Sequence, residues 1–586
     1  MKWILEKSGE FDAAALARAL DVSPAAARVL ISRGFRDPVE ARRFLHPALD
    51  DLHDPFLLAG MREAVARLGA AIEQKEPILL YGDYDVDGTS AIVILKKGLD
   101  LLGGNASFHV PHRLRDGYGM KSEVVEAAAA AGVKLIVSVD TGIRANEVVR
   151  HAANCGIDVI VTDHHLPEAE LPPAVAVLNP HRPDCAYPAK NLCGAGVALK
   201  LLQALLAQSG MDAGRRARLL ESFLKIAAIA TVADVVPLTG ENRVIVKLGL
   251  AGLRAVNNVG LRALLDVSGF PAGEAPNARE VAFRVAPRIN AAGRMASAAD
   301  VVEMFLTGDE ARARALAAQL HELNADRQQT EAEIVRAIFE QCIEQPVTGD
   351  DAALVFAGEG WHRGVVGIVA SRVVERFHRP AFVLGVENGV AQGSGRSIPP
   401  FHLLNSLESM ADLFTKFGGH RQAAGVTLDS ARVEEFRRRF RDHAASLLAP
   451  EDFEPALELD AEIGFTEIHD AAIADILDLA PFGFGNPVPV FAVHNVELAA
   501  APEVRNEKHM FLRLKSQGRT IRAKAWNFAE RAAEFSAPFD IALRFEDDPY
   551  SASRGYAPWQ AVVVDVRAAQ TASASAASGA SDRPPA

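Results

Sequence analysis

From residue 77 to residue 178 the sequence repeats one pattern, a short apolar run followed by a longer stretch with helical spacing. The runs fall at residues 77–81, 107–110, 134–139, 158–162 and 175–178. Such alternation predicts an α/β region built on a parallel sheet. The runs end in residues that carry chemistry: Asp83, Asp85 and Asp87 follow ILLYG, Asp140 follows KLIVSV, and Asp163, His164 and His165 follow IDVIVT. Open parallel sheets bind ligands beyond the carboxyl ends of their strands, so these separate motifs are expected to meet in one crevice. Asp234, inside the apolar segment ATVADVVPL, adds a further carboxylate. Buried alone it would be costly, and a cation beside it removes the objection.

Each piece read singly also has a structural role open to it. Asp87, before Gly88-Thr89-Ser90, caps a helix over residues 91–102 in that reading. Asp140-Thr141-Gly142 reads as a turn, the His164-His165 pair as surface or satisfied core, and Asp234 as a group held by backbone amides. Their recurrence at equivalent places in the sheet favours a metal site. Carboxylates with imidazole and no thiolate suit Mn²⁺ or Mg²⁺. So many carboxylates exceed the needs of one cation, which predicts two ions with one Asp shared between them. Paired ions of this kind acidify water and stabilise both oxygens of an in-line phosphoester displacement.

The rest of the chain divides by pattern. Residues 1–75 read as a helical segment, 76–308 as the parallel-sheet domain, and 309–345 as a long connecting helix, since 309–342 carry neither Gly nor Pro. Residues 346–450 read as a smaller α/β domain with a Gly-rich segment at 389–397, of which 393–397 alone suggests a flexible hairpin. Residues 451–568 hold about five short strands and little helix, as in an OB-like β-barrel. Its aromatic residues Phe511, Trp526 and Trp559 are candidates for stacking on bases, and equally for core. The Ala/Ser-rich tail, 569–586, predicts disorder.

A length of 586 residues is about four times the ~150-residue prior for one domain, so several cores are expected. The most apolar long stretch, 223–238, is shorter than the ~20 residues of a membrane span and contains Lys225 and Asp234. Charges return too early after Met1 for a secretory signal. Four unevenly spaced cysteines make no disulfide framework or zinc site, which predicts reduced thiols and a cytoplasmic setting. The net charge of −13 argues against a protein that coats nucleic acid by bulk attraction. Residues 361–421, however, hold seven Lys/Arg against four Asp/Glu, so a local basic channel stays open.

The segments YGDYDVDGTS (81–90), PHRLRDGYG (111–119), SVDTG (138–142), TDHH (162–165), LNPH (178–181), CGAGV (193–197), ATVADVVPL (230–238), PRINAAGRM (287–295), GWHRGVVGIVASR (360–372), GSGRS (393–397) and FGGH (417–420), in this order, resemble the DHH phosphoesterase superfamily. The resemblance spans roughly residues 30–500 and is nearest to the superfamily's long single-strand exonucleases. It implies that Asp85 and Asp140 hold one ion and that Asp87, Asp140, His164 and Asp234 hold the other. Asp83 or water completes the site, because Tyr81 stands where some members have a His ligand. His165 would contact the scissile phosphate or the leaving oxygen, with Asp163 orienting the histidines. Residues 346–450 match the family's substrate-recognising DHHA1 domain, where Ser394, Arg396 and His420 join Arg113, Arg288, Asn290 and Arg294 as phosphate candidates. The helix start near His362-Arg363-Gly364 either meets phosphate or only packs.

The implied activity is 5′-to-3′ hydrolysis of single-stranded DNA to nucleoside 5′-monophosphates in DNA repair and recombination. Implied partners are a single-strand-binding protein and a RecQ-type helicase, with no membrane role. Two alternatives stand beside it: a phosphodiesterase of short oligonucleotides or cyclic dinucleotides, and a non-catalytic single-strand-binding replication factor. Length and the barrel argue against the first, and the full acidic set against the second.

Overall fold

The structure, a computed structural model, describes residues 1–5, 12–113, 115–536 and 538–569. The described residues fall into two compact units by their contacts. One takes residues from Ala48–Pro455 with Gly483–Gly485, and the other takes residues from Met1–Pro47, Ala456–Phe482 and Asn486–Ala586. The segment 1–75, expected as one helical piece, is thus shared between two cores, and it opens with a strand, Lys2–Leu5, that pairs in parallel with Ala456–Leu459.

The larger unit is built on five parallel strands: β1 (Pro77–Tyr81), β2 (Asn105–His109), β3 (Leu135–Val139), β4 (Asp158–Thr162) and β5 (Ala176–Leu178). Their spatial order is β2-β1-β3-β4-β5, with every neighbouring pair parallel. β1 and β3 are buried along almost their whole length, which is why they read as continuous apolar runs instead of alternating ones. The order reverses on either side of β1, so the carboxyl ends of β1 and β3 flank the switch point where doubly wound sheets bind ligands. Helices α1 (Val86–Leu101), α2 (Gly194–Gln208) and α3 (Ala213–Ala233) pack on one face, and their Ile, Leu and Ala side chains make the main core.

A single π-helical turn, Val281–Val285, precedes α4 (Ala286–Met295). The connecting helix α5 (Glu310–Glu344) follows, as the absence of Gly and Pro predicts. It leads to a second sheet of β6 (Leu354–Glu359), β7 (Ala381–Glu387), β8 (Val390–Arg396), β9 (Lys416–Gly419) and β10 (Ala423–Asp429), ordered β9-β10-β8-β7-β6. Helix α6 (Val366–Phe377) covers one face and α7 (Val433–Leu447) the other. The Gly-rich segment is no loose hairpin: after a turn at Asn388-Gly389 it is the central strand β8. Gly395 has to be small because a Cβ there would stand 2.5 Å from the Phe382 ring.

In the smaller unit the strands Phe491–Leu498, His509–Ser516, Arg519–Ala525, Phe539–Asp547 and Trp559–Ala568 close into a five-stranded barrel through the pairing of the first with the second. Leu16, Leu30 and Phe44 of the N-terminal helices share its core with Phe491, Leu512 and Ile541. The expected disorder of the C-terminal tail lies, from residue 570 on, outside the described residues. Among the described residues no helix is long and apolar enough to cross a membrane, and all four cysteines are free thiols.

Candidate metal centre

The β1–α1 turn makes the first wall of the crevice. α1 starts at Val86, five residues earlier than residue 91, and its cap is Asp85, whose Oδ1 accepts from the amides of Asp87 and Gly88 at 2.9 and 3.0 Å. That releases Asp87 from the capping role the sequence offered it. Its two oxygens accept instead from the amides of Gly194 and Ala195 at 2.5 and 2.8 Å, at the start of α2, where a helix favours negative charge. Gly194 is required there, since a Cβ would lie 2.6 Å from Asp140 Cβ.

Asp140, at the end of β3, sits at φ 58°, a left-handed conformation uncommon outside glycine and tolerated by Asp. It aims a buried carboxylate into the crevice. Asp234 follows the last turn of α3, where the helix end disfavours an anion unless a cation is near. His164, after β4, bridges the group: Nε2 lies 3.2 Å from Asp140 and 3.7 Å from Asp87, and Nδ1 lies 3.7 Å from Asp234. Three triads place one ligand atom from each member within 4.8 Å of the others: Asp83, Asp85 and Asp140; Asp87, His164 and Asp234; and Asp140, His164 and His165. Asp83 therefore joins the first group, while Tyr81 points away and donates to the Gly119 carbonyl at 3.3 Å.

Electrostatics supply the fit test for metal. Asp83 Oδ1, Asp140 Oδ1 and Asp234 Oδ2 are buried with no hydrogen-bond partner. Burial, then the neighbouring carboxylates, push Asp83 and Asp140 well above the usual carboxylate range and Asp234 up to about 9. Burial also lowers His164, keeping the imidazole neutral as a ligand must be. Orphaned oxygens that repel one another around a neutral imidazole are a cation's complement, and an all-O/N donor set suits Mn²⁺ or Mg²⁺.

Asp163 stands behind the histidines. Its Oδ1 accepts from the amides of His164 and His165 and lies 2.7 Å from His165 Nδ1, and its Oδ2 accepts from the Ile143 amide. Burial would raise this carboxyl, but the hydrogen bond and charge of His165 hold it below its ordinary value. His165 is raised in return: burial works against its charge, and Asp163 with Asp87 and Asp85 overcomes it. The sequence reading singled out neither Tyr118 nor Gly194. Tyr118 places its hydroxyl 3.3 Å from His165 Nδ1 and 3.4 Å from the Asp140 carbonyl oxygen, and only its place in GYG beside a loop marked it.

The phosphate candidates divide. Arg113, Arg294 and Arg396 converge. Arg294 is lowered to about 10, first by burial and then by Arg113, Arg396 and Arg327, while Arg396 is lowered by burial and Arg113. Arg113 lies 4.9 Å from the Tyr84 ring centroid, and Arg294 donates to the Gly364 carbonyl at 2.8 Å. Ser394 and Arg396 both reach Gly367 in the first turn of α6, where a Cβ would meet each at 3.4 Å. Asn290 uses its Oδ1 to hold the Val86 amide and so props the acidic loop. Arg288 turns aside, toward His321 and the Arg284 carbonyl. His420 lines, with His165, Tyr118 and Arg144, a cavity of about 850 Å³ beside the crevice.

In the smaller unit, Phe511 and Trp526 lie on the outside of the barrel among cations. Arg505 stands 4.4 Å from the Phe511 ring and Lys524 stands 5.8 Å from the Trp526 ring. Arg513 faces Arg522 directly across the strand pair, an arrangement of like charge that an anion would relieve. Trp559 is instead packed edge-on against Phe545, with its Nε1 donating to Asp470.

Three family models match the chain: the DHH family N-terminal domain over residues 77–231, the DHHA1 domain over 350–446 and the RecJ OB domain over 459–556. The chain is 39% identical to the single-stranded-DNA-specific exonuclease RecJ of Bacillus subtilis over 90% of its own length and 66% of that protein's. It is 36% identical to the RecJ of Thermus thermophilus, covering 94% of this chain and 76% of the relative. The crystal structure of Thermus thermophilus RecJ with Mn²⁺ superposes with a TM-score of 0.81 at 32% identity, over 97% of this chain and 80% of that one. The same protein with Mg²⁺ gives 0.76 at 31% identity, over 97% and 79%. With its three domains matched in order and its carboxylates gathered at one switch point, the chain belongs to the RecJ family of DHH phosphoesterases.

Proposed function

We propose that this chain is an exonuclease that hydrolyses single-stranded DNA from its 5′ end to nucleoside 5′-monophosphates, using two Mn²⁺ or Mg²⁺ ions. The observation that carries the reading is the meeting, in one unit, of a metal-shaped acidic crevice with a cluster of three arginines, Arg113, Arg294 and Arg396. Carboxylates serve cations, and the arginines serve phosphate.

Asp83, Asp85 and Asp140 would hold one ion, and Asp87, Asp140, His164 and Asp234 the other, with Asp140 common to both. When bound, such ions acidify water and stabilise the charge that develops on the attacking and leaving oxygens. Asp163 occupies His165 Nδ1, which leaves Nε2 free to donate to a phosphate oxygen or to the departing O3′ as its bond to phosphorus breaks. Arg113, Arg294, Ser394 and Arg396 grip the terminal 5′-phosphate, which sets the cleavage point one nucleotide in. His420 faces the same histidine across the neighbouring cavity. The barrel's Phe511 and Trp526 would stack on bases of the trailing strand while Arg513 and Arg522 meet its phosphates. A single-strand-binding protein and a RecQ-type helicase, which cover or expose such strands, are the predicted partners, and the predicted setting is cytoplasmic repair and recombination.

The test runs long single strands, duplex and dinucleotides with Mn²⁺, each beside a chelated control. Mononucleotide release from the long single strand alone is the expected result. Cleavage confined to dinucleotides, or binding without cleavage, would replace the reading with one of its two alternatives.

A further inference from the structure

A π-helical turn, Val281–Val285, interrupts the helical stretch that leads into α4. Its closing hydrogen bond runs from the Ala286 N–H to the Val281 carbonyl oxygen, and such turns cluster at functional sites. Here it carries Phe283, 68% exposed and without a core to fill. Phe283 and Pro287, one turn on, form one wall of a groove of about 680 Å³. Val335 and Phe339 of α5 form the other wall, and Phe339 is itself 42% exposed. That volume lies within the roughly 300–1,000 Å³ of small-ligand pockets.

The groove is not a stray apolar patch, because it adjoins the site. Asn290, on its edge, hydrogen-bonds the Val86 amide between Asp85 and Asp87, and Arg294, on the same edge, belongs to the phosphate-gripping cluster. Its charged rim is Arg294, Arg327, Arg372 and Glu331; Glu331 bonds to Arg327 and Arg372, and Arg372 also to Glu375, which leaves Arg294, among the described residues, as the rim's free cation toward the groove. Apolar walls with a cationic rim suit a nucleobase still joined to its phosphate.

The geometry points to this groove as the seat of the base of the 5′-terminal nucleotide, with Phe283 as its stacking platform. The inference rests on the exonuclease reading above and deepens it. A base taken into such a groove has to be unpaired, which gives the enzyme a way to reject duplex ends at the nucleotide it removes.

The experiment measures kcat and KM on two 5′-phosphorylated strands, one intact and one with an abasic first residue, for wild type, Phe283→Ala and Phe283→Trp. Phe283→Ala is expected to raise KM roughly tenfold on the intact strand, to leave the abasic strand at the wild-type value, and to be rescued by Phe283→Trp. An abasic residue moved to the fifth position should restore the full effect of the alanine. Equal loss on both strands, or no loss on either, overturns the inference while leaving the exonuclease reading intact. Wild-type protein that degrades neither strand overturns the exonuclease reading itself. Because Phe283 is exposed, its replacement leaves the core untouched, and the melting temperature of each variant serves as the check.

Discussion

Asp140 is held by three constraints at once: a left-handed backbone, a glycine pressed against its Cβ, and a buried oxygen with nothing to accept from. Without metal it is a liability among like charges. Asp140→Asn is therefore expected to abolish hydrolysis and yet, in chelator, to melt no lower than wild type, with a gain of about 1 kcal/mol or more. Adding Mn²⁺ should raise the melting temperature of wild type alone, since a ligand at a hundred times its Kd contributes ~2.7 kcal/mol. A calorimetric scan with and without metal checks both halves. Arg396→Ala should raise KM about ten- to a hundredfold for a 5′-phosphorylated strand and far less for a 5′-hydroxyl strand, as loss of a charge-assisted contact to a terminal phosphate requires. Steady-state kinetics on the two ends decide it. Asp83, Asp85, Asp87, Asp140 and Asp163 were legible because each follows an apolar run that forms a strand, and a parallel sheet leaves such positions no other place to meet; Asp234, taken with them, comes instead from the end of helix α3. Which aspartate caps α1 was not legible, because the helix starts at Val86, five residues before the apolar spacing of 91–102 that marked it. Nor was the turning aside of Arg288, which depends on a histidine on α5 33 residues away.

At the scale of elements, the sheet and the long helix followed from periodicity, while the braces between elements did not. Lys200 on α2 and Glu241, both fully buried, pair at 2.7 Å. Glu241 also accepts from Tyr187 at 2.6 Å and from the His53 amide at 3.0 Å, so four separate stretches of chain meet at one carboxylate. In sequence Glu241 looks like any charged residue after a turn. Glu241→Gln would leave the Lys200 ammonium buried without its counter-charge, at an expected cost of about 3–5 kcal/mol, which urea titration of the larger unit measures. β8 shows the opposite failure of sequence reading. Its glycines look like flexibility and instead allow tight packing, because the ring of Phe382 occupies the place of the missing Cβ of Gly395.

The whole molecule is organised by units that do not follow chain order. The barrel strands were legible from their short alternating runs, but the destination of residues 1–47 was not, since an amphipathic helix does not say which core its apolar face will join. Cutting the chain at residue 450 would strip these helices of the core they share with Phe491 and Ile541. The clean experiment keeps residues 48–455. That fragment is expected to hydrolyse saturating short strands at near-full-length rates, and to bind long ones at least about tenfold more weakly for want of the barrel's aromatic and cationic face. Anisotropy on labelled strands of two lengths reads the difference, and equal weakening on both would remove the barrel from strand capture. The pairing of Lys2–Leu5 with Ala456–Leu459 has a further consequence, for biosynthesis. Residues 2–5 must wait for residues 456–459 to be synthesised, and the larger unit, encoded almost wholly between them, can close while they wait. The acidic crevice can thus be assembled on the nascent chain before the barrel closes.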